Sequence, residues 1–129
     1  MGYDFSFEDS SEQTNESFRM NTAEMSMMRE FMREVGAVAE PGQRRALDAG
    51  LAPDALSVPL SKFTSNSNWH VTPDECRSIA SRLRAGVSVV QEVASFFDDA
   101  PPPAELERWV LSWVDFNERA MGRGGYRVR

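Results

Sequence analysis

At 129 residues the chain lies in the roughly 100–150-residue range of one domain, long enough to bury one core and too short for two. Hydrophobic residues at 41% and charged residues at 26% match a globular protein and exclude the apolar-poor composition of a disordered one. Twenty acidic against 14 basic side chains leave a net charge of -6, which disfavours nucleic-acid phosphates and anionic lipids as partners, and no run approaches the roughly 18 apolar residues of a membrane span.

Tyr3, Phe5 and Phe7 alternate with Asp4, Ser6 and Glu8, the period of a strand with one buried and one wet face. The polar run from Asp9 to Glu16 suits a turn, and Ser17 to Met20 returns as a second short strand. Asn21 followed by Glu24 forms a capping box, after which Met25, Met28, Met32 and Val35 recur at helical spacing before Gly36. That methionine face belongs in the core, with a homodimer or partner interface as the alternative. Met20 and Met27 fall off it and are expected on the surface.

From 37 to 71 the pattern loosens. Pro41, Gly42, Gly50, Pro53 and Pro59 punctuate a long irregular connection, with a helical turn or two around Gln43 to Ala49. Connections of this length often carry function.

Thr72, Pro73 and Glu75 then supply an N-cap, a first-turn proline and a capping-box carboxylate, so a helix starts at Pro73. Cys76, Ala80, Leu83, Val87, Val90, Ala94 and Phe97 keep steps of four and three, widened by Ile79 and Val93, predicting one helix that runs through Gly86. A break at Gly86 is the alternative, because an interior glycine costs about 1 kcal/mol relative to alanine. Asp98 to Pro103 ends the helix. From near Ala104, Leu106, Trp109, Val110, Trp113, Phe116 and Ala120 line a third helix that Gly122 stops, and after Gly124 and Gly125 the run Tyr126 to Arg129 alternates as a strand. The expected fold is α+β and mainly helical: three amphipathic helices packed on a small sheet formed by the N- and C-terminal strands, as one domain over 1–129.

The run from Ser65 to Cys76, most specific in its Trp69-His70-Val71-Thr72-Pro73-Asp74-Glu75-Cys76 part, with the Asp115 to Ala120 stretch and the terminal Gly124-Gly125-Tyr126-Arg127-Val128, resembles a loose group of short bacterial and phage proteins without assigned activity. The resemblance covers about half of the chain. It implies the helix start and the terminal strand, and no chemistry.

Ser65 to Thr72 is the candidate recognition loop. Asn66, Asn68, Trp69 and His70 combine amide hydrogen bonding, aromatic surface and the only histidine just before a helix N-terminus, and Arg77 follows on that helix. The structural alternative makes Trp69 an anchor on the helix it precedes and the asparagines turn formers. His70 and Cys76 are residue types that pair as base and nucleophile, but Cys76 falls on the apolar stripe and is expected to pack as a small hydrophobe. Asp98 with Asp99 and Glu105 with Glu107 flank a turn and a helix start, where carboxylates favour the helix dipole. No phosphate-binding loop, nucleophile elbow or paired metal-ligand spacing occurs, so neither cofactor nor metal is expected.

One cysteine and an amino terminus without the basic start and apolar run of a secretory signal predict a cytoplasmic protein. The favoured function is noncatalytic protein interaction, of immunity, anti-defence or adaptor type, through the acidic surface and the 65–72 loop toward a basic protein partner. The alternative is a small-ligand or nucleotide binder, hydrolytic in one version, that uses the same loop with Arg77.

Overall fold

The computed structural model describes residues 2–8, 17–39, 58–64, 67–98 and 100–129. In chain order the elements are β1 (Gly2–Phe7), β2 (Ser17–Asn21), α1 (Thr22–Glu34), β3 (Val38–Ala39), β4 (Val58–Pro59), a 3-10 helix (Leu60–Phe63), β5 (Trp69–Val71), α2 (Pro73–Ala85), α3 (Val87–Ala94), α4 (Pro103–Met121) and β6 (Tyr126–Val128). The fold is α+β, as the patterning predicts, with strands from both ends of the chain side by side.

Four strands form an antiparallel sheet in the order β2-β1-β6-β5. Its register sets Phe5 opposite Phe18 and Val128, and Phe7 opposite Tyr126, so the apolar alternates of neighbouring strands share one face. The row Ser17, Ser6, Arg127, His70 crosses the other face. On the apolar side Trp113 of α4 is fully buried, edge-on to Phe5 at 4.8 Å and stacked on Phe116 at 5.8 Å between ring centroids. Tyr126 donates its hydroxyl to Asn117 Oδ1 at 2.9 Å, and Asn117 Nδ2 donates to the Trp113 carbonyl at 2.8 Å, which satisfies a fully buried amide.

Two expectations change in detail. The helix predicted to run through Gly86 is two helices, α2 and α3. A Cβ at Gly86 would stand 2.4 Å from Val35 Cγ1, so the end of α1 presses on the chain where only hydrogen fits, and the helix stops and restarts there. The connection from 37 to 71, read as irregular, contains a parallel pairing of β3 with β4, the 3-10 helix and the edge strand β5. These elements are two to four residues long, too short to show a periodicity. The helical turns expected around Gln43 to Ala49 lie outside the described residues.

Met25, Met28 and Met32 are fully buried, so this face is spent on the chain's own core. Met20 and Met27, expected on the surface, are buried as well, at 2% and 8% exposure. Met20 shares the inward register of Tyr3 on β2, and α1 is covered on several sides by β2, α3 and the 3-10 helix, which widens its buried arc beyond one stripe.

Candidate functional site

The helix start that follows the candidate loop is fixed by side-chain capping. On α2, Thr72 Oγ1 accepts from the Glu75 amide at 3.2 Å, and Glu75 Oε1 accepts from the Thr72 amide at 2.9 Å. Glu75 is nonetheless buried, and Lys62, the only lysine, reaches it: Lys62 Nζ donates to Glu75 Oε1 at 2.6 Å and to the His70 carbonyl at 2.7 Å. One ammonium thus ties the 3-10 helix, β5 and the first turn of α2 together.

Within the segment expected to be a recognition loop, Trp69–Val71 form strand β5, and this part is pinned at several points. The Asn68 amide donates to the Val128 carbonyl at 2.8 Å, and Arg127 Nη1 donates to the Asn68 carbonyl at 3.2 Å. His70 Nε2 donates to the Gly124 carbonyl at 2.8 Å. Asn68 takes a left-handed φ of 66°, a conformation that asparagine tolerates better than most side chains, and so turns the chain into the edge strand. Gly125 completes the frame: at φ 84° its missing Cβ would fall 1.9 Å from the Val71 carbonyl oxygen.

Arg127 holds this edge to the rest of the sheet. Its guanidinium grips Glu8 through Nε at 2.7 Å and Nη2 at 3.1 Å while reaching Asn68. The hydrogen bonds from Arg127 hold the Glu8 carboxyl below its ordinary range, and the same bonds raise the guanidinium.

Of the sequence-predicted site residues, Asn68, Trp69 and His70 stand together on β5 and its lead-in. Asn66 lies outside the described residues. Trp69 has the inward register, opposite Val128, and sits at the sheet edge with 41% of its surface exposed. His70 faces the opposite side, in a row with Arg127. Arg77 is exposed on α2, its Nη1 4.0 Å from Asp74 Oδ1. Lys62, Glu8, Arg127 and Gly124, which hold the edge, lie outside the residues that the sequence points to as a site; Glu8 and Arg127 show there only as polar alternates of their strands.

The sheet separates the two residues that resemble a base and nucleophile. Cys76 packs in the core, its thiol directed weakly at the Val71 carbonyl at 3.9 Å, and His70 projects from the far face. Burial, with the Glu75 carboxylate beside it, pushes the Cys76 thiol up to about 12, the opposite of nucleophile activation. Among the described residues no three His, Cys, Asp or Glu side chains gather as a metal site would require, and no helix is long and apolar enough to cross a membrane. No known protein family, curated protein or solved structure matches the chain.

Proposed function

We propose that the chain is a noncatalytic interaction protein of the cytoplasm, of immunity, anti-defence or adaptor type, which engages a basic protein through its acidic surface and the 65–72 segment. The observation that carries this reading is Trp69. A large aromatic is left 41% exposed on an edge strand that hydrogen bonds from both sides hold rigid. A rigid, half-exposed tryptophan loses little conformational freedom on binding, as interface anchors require. The net charge of -6 supports a basic partner through long-range attraction.

The test is affinity capture from the source cells with wild-type protein and Trp69→Ala, compared at equal bait. A stoichiometric basic protein recovered by the wild type and lost with Trp69→Ala, while the variant keeps the folded amide spectrum under the capture conditions, is expected. Equal recovery by both, or no stoichiometric partner, would overturn the reading.

A further inference from the structure

Away from Trp69, the described residues leave two other large apolar side chains exposed: Val89 on α3, at 37%, and Phe96 in the turn that follows α3, at 87%. With the half-buried Val93 of α3 they are spaced i, i+4 and i+7, and the turn carries the stripe past the end of the helix. The turn has a fixed shape. The amides of Phe96 and Phe97 donate to the carbonyls of Val93 and Ala94, each at 3.0 Å, and Phe97 turns inward onto Phe31 with ring centroids 6.1 Å apart. With its neighbour committed to the core, Phe96 is held outward.

The charge of the sequence that carries these residues is one-sided. Residues 85–107 contain Glu92, Asp98, Asp99, Glu105 and Glu107 and no Lys, Arg or His, a formal charge of -5 within a chain total of -6. Glu92, Asp98, Glu105 and Glu107 are exposed. An apolar stripe beside unbalanced carboxylates repels a second copy of itself and complements a cationic surface.

We infer that the Val89–Val93–Phe96 stripe of α3 and the turn after it is a docking face for a basic amphipathic segment of a partner protein, with Phe96 entering an apolar pocket and Glu92 and Asp98 meeting arginine or lysine. The inference rests on the reading of the chain as an interaction protein but uses no residue of the Trp69 edge. Helix-face recognition of this kind is read from i, i+4, i+7 anchors.

The test is amide chemical-shift mapping of the full chain with a synthetic helical peptide of about 18 residues, leucines on one face and arginines elsewhere, against a twin with glutamate for arginine. The basic peptide is expected to shift amides of 87–98, and to weaken as salt rises from about 50 to 300 mM. Phe96→Ser and the double variant Glu92→Lys/Asp98→Lys are each expected to reduce affinity at least about tenfold with an unchanged melting temperature, while Trp69→Ala leaves it unaltered.

Absence of shifts in 87–98, or equal binding of the acidic twin, overturns the inference. Concentration-dependent shifts of these amides without peptide would assign the face to a second copy, and shifts in residues 40–57 on Phe96→Ser to this chain's own connection; either also overturns it. Peptide binding at α3 with partner capture indifferent to Trp69→Ala would remove the Trp69 reading alone. Capture dependent on Trp69 without peptide binding would remove the α3 inference alone.

Discussion

Cys76 illustrates how burial decides the chemistry of a side chain. In the unfolded chain its thiol titrates near 9.0, and in the core it is pushed to about 12. The raised value means that this group's contribution to stability is complete below pH 9 and is lost as pH rises toward 12, because the unfolded thiol releases its proton first. At pH 8 the native thiol should react with a disulfide reagent at least about a hundredfold more slowly than in urea, and urea midpoints should fall above pH 9. Rapid native labelling would contradict this. Lys62 makes a second case. Removing it by Lys62→Met leaves the Glu75 carboxylate with backbone contacts alone and should cost about 2–3 kcal/mol, below the roughly 3–5 of a fully buried pair because Lys62 keeps some contact with water. Lys62→Met/Glu75→Gln should recover most of that loss in urea denaturation; if the double variant is as unstable as the single, the ion pair is not the cause. The Thr72–Glu75 box was legible because capping acts over three residues. The grip of Arg127 on Glu8 was not, because the two stand 119 residues apart and meet only once the sheet exists.

The helices show where a periodic pattern runs out. Steps of three and four from Cys76 to Phe97 continue in phase across Gly86, so the sequence alone favours an unbroken helix. At the break, residue 86 lies against Val35 at the end of α1, where a side chain larger than hydrogen meets it. Alanine at position 86 would gain about 1 kcal/mol of helix propensity and lose more to its 2.4 Å approach to Val35, so Gly86→Ala should destabilise the fold by about 1–3 kcal/mol. Adding Val35→Ala should recover part of that loss, a coupling that a double-mutant cycle measures directly. Additive losses would mean that the two helices part for another reason. Met20 and Met27 carry the same lesson on burial: one stripe marks what a helix hides from a single neighbour, and α1 has several.

For the molecule as a whole, alternation at both ends and the helical stripes between them made the α+β plan readable, because a sheet with one apolar face needs helices to cover it. Strand β5 was hidden inside a proline- and glycine-punctuated connection, since three residues carry no period and its place depends on β6, far along the chain. Asn68, Trp69 and His70 were therefore legible as residue types suited to recognition, while the rigidity that fits Trp69 to that role belongs to Lys62, Gly124 and Arg127. The most direct test is the dissociation constant of the partner recovered by capture, measured against wild type and Trp69→Ala in one buffer. Weakening of at least about tenfold, in a variant that is still folded at the temperature of the measurement, is the expected result for an interface anchor. Equal affinity of the two proteins would contradict the assignment of Trp69 as the contact residue.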